Sequence, residues 1–284
     1  TPRLIQTLWE PLVLGALNTP LHEASTQLFM NVLRDSFRYK RADSDLLFPT
    51  KDLGNLFATP VRKHIEALGS SVSVGTKVMG IRQSNHQTNN QWQVETRKET
   101  LQARHLILAV PPHRAHALIC PLPLPTLAQR LQQFDTYPIT TIYLQFDTHI
   151  TLPEKMIGFS GGHAQWLFHR SFCQQEDLVA IIISGPGSHM EMDKQTLTDI
   201  IVGELKQHYP HLPDIIHSQV IREKRATFRA TAGIDDLRPE NQTELNGLWL
   251  AGDYTRGPYP ATLEGAVQSG VQCARQIIKQ LSAS

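Results

Sequence analysis

The chain has 284 residues, of which 40% are hydrophobic and 19% are charged, so it can bury a sizeable core like an ordinary globular protein. Its 27 basic and 26 acidic residues leave a formal net charge of +1, which excludes the long-range field that would gather nucleic acid. The three cysteines lie outside any Cys-x-x-Cys and the histidines form no complete ligand pattern, which predicts a cytoplasmic protein without a metal site. Its apolar runs are shorter than the ~18 to 20 residues that span a bilayer, which leaves peripheral membrane contact open.

Two apolar helical patterns open the chain. Residues 3–17 have helical spacing interrupted by Pro11, which predicts a kinked helix, and residues 22–39 repeat the pattern up to a polar run. Adjacent apolar helices usually belong to a core, and most of these side chains are expected to be core. The alternative is the wall of an apolar substrate cavity. The side chains that would line or back it are Trp9, Leu12, Phe29, Leu33 and Phe37.

The next segment predicts a helix followed by a small meander. Residues 52–67 favour a helix that Gly69 stops, and Val72-Ser73-Val74 alternates as a short strand. Extended pieces follow at 76–82, 91–96 and 100–103. Residues 105–110 are typical of a buried strand, which ends abruptly at Pro111-Pro112.

The second half predicts a mixed α+β layer and then a strand, a turn and a helix. Prolines within 118–125 argue against regular structure and indicate a domain crossing. Strand composition recurs further on, a helical pattern covers 196–208, and a final strand at 247–251 leads to a helix that opens at Pro260. The further strands are expected at 139–146, 165–169, 178–184 and 215–222.

The turn between that last strand and helix is the most specific stretch. An apolar strand delivers Gly252-Asp253 to its carboxyl end, where open α/β sheets bind ligands, and Gly252 lets the backbone approach a cofactor. Asp253 can accept hydrogen bonds from ribityl or ribose hydroxyls. Backbone amides near Thr262 and Leu263 would stabilise an electron-rich group by ~0.3 to 2 kcal/mol. Physics alone also allows a plain strand, turn and helix of another α/β fold.

Residues 247–270, with Ala-Gly-Asp followed by Thr-Leu-Glu-Gly-Ala, resemble the C-terminal signature of the FAD-dependent amine oxidase and phytoene desaturase superfamily. The resemblance implies that Asp253 holds the ribityl-pyrophosphate region of FAD and that the Leu263 amide faces the flavin. It also implies that Gly252 and Thr262 are close neighbours of the ring system.

Two upstream segments resemble further blocks of the same superfamily, in the same order. Residues 53–81 are similar to its central block, which implies that the backbone of Val78 meets the adenine. Residues 106–112 are similar to the strand and Pro-Pro turn that passes near the cofactor, which implicates Ala109, Val110 and Pro111. The superfamily's opening Gly-x-Gly-x-x-Gly is absent from this sequence. We therefore expect that an N-terminal βαβ unit is missing, and that the chain alone binds FAD weakly and is inactive.

The first 45 residues decide the subgroup. Trp9-Glu10-Pro11-Leu12 and Ala16-Leu17-Asn18-Thr19-Pro20 are similar to the squalene-associated FAD-dependent enzymes known as hydroxysqualene dehydroxylases. Thr262 stands where amine oxidases commonly carry an aromatic of the amine cage, which disfavours an amine substrate. The resemblance implies hydride transfer from reduced FAD to an allylic carbon of a long isoprenoid as hydroxyl leaves, giving squalene.

Alternatives remain open at this point. Carotenoid-type desaturation and amine oxidation would keep the flavin, and an inert substrate-binding module would lack it. Candidates for the acid that protonates the departing hydroxyl are Arg34, Asp35 and Tyr259, although a solvated surface position is the favoured explanation for Arg34 and Asp35. The oligomeric state and the electron donor are not indicated, and the expected partner is an apolar small molecule.

The expected fold class is α/β plus α+β, a partial FAD/NAD(P)-binding Rossmann-like domain with an interleaved substrate domain of β-sheet and helices. Residues 46–118 and 240–284 are assigned to the FAD-binding domain. Residues 1–45 and 119–239 are assigned to the substrate domain.

Overall fold

The computed structural model describes residues 1–38, 40–84 and 92–283. Tyr39 and Gln91, at the ends of two predicted elements, lie outside the described residues. The helices are α1 (Pro2–Leu4), α2 (Glu10–Leu17), α3 (Thr26–Phe37), α4 (Thr59–Ala67), α5 (Pro112–Ile119), α6 (Pro125–Gln132), α7 (Lys194–His208) and α8 (Leu263–Ala283). The strands are β1 (Val78–Gln83), β2 (Trp92–Thr96), β3 (Thr100–Ala103), β4 (Leu106–Leu108), β5 (Thr136–Phe146), β6 (Met156–Gly158), β7 (Trp166–His169), β8 (Leu178–Ser184), β9 (Ile215–Phe228) and β10 (Leu248–Leu250).

Wide helical turns precede two of the prolines. Ile5–Trp9 and Gly54–Ala58 are π turns, and Pro11 and Pro60 follow them in the first turns of α2 and α4. A proline ring collides with the carbonyl four residues earlier in a regular α-helix, and widening the preceding turn relieves that collision. The predicted interruption at Pro11 therefore appears as a π turn within one helical run.

The chain divides into two compact units. The first comprises Thr1–Ala24, Asp35–Val72 and Thr136–Thr227, and the second comprises Ser25–Arg34, Ser73–Asp135 and Phe228–Ser284. These boundaries differ from the domain boundaries expected from the sequence. Which unit binds a cofactor and which a substrate stays a prediction.

The core of the first unit lies between a five-stranded sheet and α7. The sheet has the order β6-β7-β8-β5-β9, and its central pair is antiparallel with Ile142 opposite Ile181. Alternate residues of β5 are buried, as a strand with one face on a core requires. Helix α7 buries Leu197, Ile201 and Leu205, which lie on one face at a spacing of four residues.

The second unit contains two small sheets. Strands β1, β2 and β3 form an antiparallel meander, and β10 pairs with β4 in parallel. Trp92 of β2 is fully buried, and its indole N–H donates to the Asn246 carbonyl at 3.0 Å. Helix α5 follows β4 and lies beside β1. The predicted meander and return strand are therefore present.

Two local expectations are wrong. Val72-Ser73-Val74 forms no strand in the described chain, because Val74 is 68% exposed and the alternation has no buried face to supply. Regular structure enters 118–125 from both sides, since α5 ends at Ile119 and Pro125 occupies the first turn of α6, where a missing N–H costs nothing. No helix within the described ranges is both long and apolar enough to cross a membrane.

Candidate functional site

The parallel pair β4 and β10 brings two predicted segments to one edge. Leu106, Ile107 and Leu108 stand opposite Leu248, Trp249 and Leu250, and the Ala251 N–H donates to the Leu108 carbonyl at 3.1 Å. Residues 109–111 and 252–253 therefore leave the sheet side by side at its carboxyl edge, the usual ligand edge of parallel sheets. We call residues 109–111, 252–253 and 262–263 the strand-end site.

Gly252 is required by the turn that begins the strand-end site. Its φ of +150° is a conformation that side chains of L-residues rarely adopt. A Cβ added there would lie 2.8 Å from Cε1 of Tyr254, whose ring is 1% exposed and packs edge-on against Phe134. The glycine at this position is therefore explained by the turn and by Tyr254.

A directed chain of hydrogen bonds holds the Gly252 peptide groups. The Asn241 amide donates to Ser269 Oγ at 2.9 Å, and Ser269 Oγ and Thr255 Oγ1 lie 2.6 Å apart. Thr255 Oγ1 then donates to the Gly252 carbonyl at 2.9 Å, while the Gly252 N–H donates to Ser269 Oγ at 3.0 Å. All three side chains are buried, so the turn is fixed on both of its polar groups.

Arg238 fixes the next residues of the same loop. Its side chain is 1% exposed, and its guanidinium donates to the carbonyls of Asp253 at 3.0 Å, Thr255 at 2.9 Å and Gly257 at 2.8 Å. Asp235 accepts a further bond at 3.2 Å. A planar fork with five donors suits this task, because one rigid group reaches several acceptors at once.

Neither the chain of hydrogen bonds nor Arg238 was anticipated from the sequence. Ser269 carried a usable signal, because it is a polar residue on the buried face of α8, four residues before the buried Cys273. Arg238 carried none, since its main-chain acceptors lie 15 to 19 residues further along an irregular loop. Cys273, Trp249 and Ala251 pack together, which sets α8 directly on β10.

Helix α8 contacts Gly252 through Ser269 in its second turn, and its first turn follows Thr262. Thr262 caps the helix, because its Oγ1 accepts the Gly265 N–H at 3.0 Å and its carbonyl accepts the Ala266 N–H at 3.1 Å. The helix therefore begins at Leu263 rather than at the predicted Pro260. Leu263 precedes Ser269, which binds the Gly252 N–H, by six residues or about 9 Å of helix rise. Its side chain is 74% exposed.

Asp253 is half-buried. Burial raises the pKa of the Asp253 carboxyl, while the Tyr254 N–H and the Arg238 guanidinium oppose that rise. The neighbouring Tyr254 hydroxyl is buried without a hydrogen-bond partner among the described residues. Burial raises the pKa of Tyr254 as well. The Tyr254 hydroxyl, one residue from Asp253, is thus a buried polar group that the described residues leave unsatisfied.

The remaining predicted residues are placed as follows. Ala109 and Pro111 are exposed and Val110 is half-buried at the sheet edge, while Val78 begins β1 and is 37% exposed. Among the candidates for the catalytic acid, Arg34 and Tyr259 belong to the second unit and Asp35 to the first. Their assignment as catalytic residues, like that of the cofactor-binding residues, stays a prediction.

The apolar residues expected to line or back a cavity separate into two groups. Phe29 is a core residue at 9% exposure, and Leu33 is half-buried. Trp9, Leu12 and Phe37 are exposed by 37%, 38% and 71%, so the expectation that most of these side chains are core is wrong for them. Whether they contact a substrate stays a prediction.

Comparison with known proteins supplies the family context of these features. The family described as "Flavin containing amine oxidoreductase" matches residues 5–278. The hydroxysqualene dehydroxylase of Zymomonas mobilis is 28% identical over 273 residues, which cover 95% of this chain and 62% of that protein. The 15-cis-phytoene desaturase of an Oncidium hybrid cultivar is 21% identical over 279 residues, which cover 90% of this chain and 46% of that protein.

A solved structure shares the fold. An oxidoreductase from Methanosarcina mazei superimposes with a TM-score of 0.69 at 13% identity, covering 94% of this chain and 63% of that one. The chain thus spans less than two thirds of the length of these relatives. The fold class and the family resemblance predicted from the sequence are both confirmed.

Proposed function

The chain belongs to the flavin containing amine oxidoreductase family, and we propose that it forms the C-terminal part of an FAD-dependent oxidoreductase that converts hydroxysqualene to squalene. The observation that carries the proposal is the Gly252-Asp253 turn, fixed at the carboxyl edge of a parallel strand pair by Ser269 in the second turn of α8. That edge is where α/β folds bind dinucleotides.

The residues at the strand-end site fit a flavin dinucleotide. Asp253 offers a carboxylate to ribityl hydroxyls, and the rigid Gly252 turn keeps that carboxylate in place. The Leu263 N–H has no acceptor within its own helix, because it lies in the first turn of α8, and it would face the reducible edge of the ring. The unpartnered Tyr254 hydroxyl, one residue from Asp253, indicates that the protein alone does not complete this environment.

Other predicted residues would complete the FAD contacts. Gly252 and Thr262 would lie near the ring system, Val78 would meet the adenine through its backbone, and residues 109–111 would pass close to the cofactor. Bound FAD supplies hydride transfer. This chain's own contribution is to orient the ring, to exclude water and to provide an acid for the departing hydroxyl, for which Arg34, Asp35 and Tyr259 are the candidates.

An additional unit of the protein would complete the cofactor site. Within the described residues, β4 pairs only with β10, whereas parallel sheets normally have more strands and helices on both faces. Helix α8 also presents an apolar stripe to solvent, with Leu263, Val267 and Val271 exposed by 74%, 44% and 43%. Because the chain spans 62% of the Zymomonas relative, we propose that an N-terminal dinucleotide-binding unit covers these surfaces and that the chain alone is inactive.

The substrate proposal rests on identity with the hydroxysqualene dehydroxylases, which exceeds identity with the phytoene desaturases. Thr262 in place of an aromatic cage residue also favours an isoprenoid over an amine. Carotenoid-type desaturation is the second candidate, favoured by the phytoene desaturase matches. We further propose a cytoplasmic protein that takes an apolar small molecule and touches the membrane peripherally, since such substrates partition into lipid.

The test uses the complete protein that carries this chain, reduced under anaerobic conditions. Hydroxysqualene is expected to reoxidise the flavin and yield squalene, and Asp253→Ala is expected to weaken FAD binding, measured by quenching of flavin fluorescence. Asp236→Asn, an exposed aspartate, is the matched control. Reduction of the flavin by amines would replace hydroxysqualene with an amine as the proposed substrate, and oxidation of phytoene would replace it with a carotenoid precursor. A protein without flavin absorption after addition of FAD would overturn the proposal in favour of an inert binding module.

A further inference from the structure

A serine, a histidine and a glutamate of the first unit form a hydrogen-bonded series. Ser188 Oγ lies 3.4 Å from His163 Nε2, and His163 Nδ1 lies 3.2 Å from Glu204 Oε1. Ser188 is exposed, whereas the side chains of His163 and Glu204 are 30% and 22% exposed. A nucleophile bonded to a base that is bonded to an orienting acid is the arrangement that activates serine in hydrolases of unrelated fold.

Glu204 fixes both the position and the tautomer of His163. Its two carboxylate oxygens accept the N–H groups of His163 at 2.9 Å and Ala164 at 2.8 Å. Since a carboxylate only accepts, Nδ1 must carry the ring proton, which leaves Nε2 as the acceptor for the Ser188 hydroxyl. A Cβ at Gly162 would lie 2.6 Å from Glu204 Oε2, so the glycine makes this close approach possible.

Arg222 holds the turn that carries Ser188. Arg222 donates from Nη2 to the carbonyl of His189 at 3.0 Å, within the 3₁₀ turn Ser188–Met190, and to that of Met192 at 2.8 Å, two residues after it. His189 is 3% exposed, and burial, His163 and Arg222 all lower its pKa. Hydrogen bonds from Arg222 therefore fix the main chain that carries Ser188.

A cavity lies beside the chain segment that carries His163. It has a volume of about 240 Å³, and its lining includes Gly161, Gly162 and Gln165, which precede and follow His163 in the sequence. Phe159, Trp166, Leu14 and Pro11 supply apolar walls, and Glu10 adds a carboxylate. The volume is below the ~300 Å³ lower end of sites for drug-sized molecules, and the carboxylate disfavours anions. The space suits a small neutral acyl group.

We propose that Ser188 is a nucleophile with His163 as its base and Glu204 as a positioning residue, and that the site takes neutral activated esters of small carboxylic acids. Ser188 Oγ bonds to the ester carbonyl carbon while its proton passes to His163 Nε2. The ester C–O bond then breaks, and the alcohol leaves with that proton. Water attacks the acyl-serine, again giving a proton to His163 Nε2, which returns it to Ser188 as the carboxylic acid leaves.

The alternatives for this cluster make different demands. A metal site is not supported, because among residues 1–38, 40–84 and 92–283 no three His, Cys, Asp or Glu side chains converge in a ligand arrangement. A purely structural role, in which Glu204 ties the 162–164 turn to α7, explains the main-chain bonds but requires no contact with Ser188. The reactivity of Ser188 separates that role from the proposal.

The test is covalent labelling of the purified chain with an alkyl fluorophosphonate, followed by peptide mapping. The Ser188 oxygen displaces fluoride from phosphorus, so an activated serine is expected to be modified once per chain. His163→Gln is expected to slow labelling by about 100-fold or more, the usual contribution of a general base. Ser188→Ala should abolish it. Ser71→Ala, an exposed serine outside the cluster and the cavity, should leave it unchanged.

A second measurement covers ester turnover. The parent chain is expected to hydrolyse p-nitrophenyl acetate faster than Ser188→Ala, and Glu204→Gln is expected to lower the labelling rate while the far-ultraviolet circular dichroism stays that of the parent. An unmodified Ser188, or equal labelling of the parent and His163→Gln, would overturn the proposal. Because neither measurement involves FAD, the outcome is independent of the oxidoreductase assignment.

Discussion

Replacing Arg238 with methionine tests how the Gly252-Asp253 loop is held. Methionine keeps a similar apolar length but removes every donor, so the carbonyls of Asp253, Thr255 and Gly257 lose their shared partner. Thr255 is 1% exposed and water cannot replace the lost bond there, whereas Asp253 and Gly257 are half-buried and partly hydrated. The cation over the Phe228 ring, 5.4 Å from its centroid, is also removed.

The magnitude follows from these partners. Leaving the buried Thr255 carbonyl unpaired costs ~1 to 3 kcal/mol, and each half-hydrated carbonyl loses about 0.5 to 1.5 kcal/mol. Relief from burying a charge offsets part of this loss. We therefore expect Arg238→Met to lower the free energy of unfolding by about 2 to 4 kcal/mol. Lysine should not rescue it, because a single ammonium cannot span three acceptors in a plane.

The assay is urea unfolding followed by the fluorescence of tryptophan, with Trp249 buried in the same unit. Amide hydrogen exchange of residues 253–257 gives a local readout that is expected to accelerate. Arg256→Met is the matched control, because Arg256 pairs with Glu240 at 2.9 Å on the surface and such pairs contribute ~0 to 1 kcal/mol. Equal unfolding free energies for Arg238→Met and Arg256→Met would refute the reasoning.

Three further outcomes are expected. Gly252→Ala should destabilise by ~1 to 3 kcal/mol in urea unfolding, because its Cβ would meet Tyr254 at 2.8 Å and its φ is positive, whereas Gly203→Ala, with nothing within 4 Å of the new Cβ, should stabilise by roughly 0.4 to 1 kcal/mol. Because burial raises the pKa of Asp253, ionisation destabilises the fold as the pH rises above the unfolded-state value of about 3.9. Asp253→Asn should therefore match the parent below that pH and exceed its melting temperature near neutrality, and a parent that is the more stable near pH 7 would contradict this. Iodoacetamide should modify the exposed Cys120 well before Cys273, where burial raises the pKa and limits access, as read by mass spectrometry; equal rates would contradict it.

Local patterns predicted the parts of the fold that local physics determines. The apolar run from Leu248 to Leu250 can be buried as a strand, and the alternation in β5 buries one face of a strand, so the sequence predicts both strands. The glycine turn after β10 was expected for the same reason, since its geometry needs a residue without Cβ. Where the helix after that turn begins was not predictable from Pro260, because the Thr262 cap decides it.

Long-range partners account for what the sequence could not predict. Val74 lacked a neighbouring strand, and propensity alone does not make a strand without a face to bury. The contacts of Arg238 depend on how a loop folds back, and those of Ser188 with His163 span 25 residues. Such juxtapositions follow from sheet order and helix packing, which a single sequence specifies only through the completed fold.

The strand-end site combines a rigid main chain with a carboxyl group in an unfavourable position. Asn241, Ser269, Thr255 and Arg238 satisfy the backbone of the loop almost completely. The same loop raises the pKa of Asp253 through burial, so the carboxylate destabilises the fold at neutral pH. A turn selected for stability alone would accommodate asparagine there. A carboxyl group retained at a cost in a fixed frame is expected where a ligand binds to it, which supports Asp253 as the acceptor for the ribityl chain.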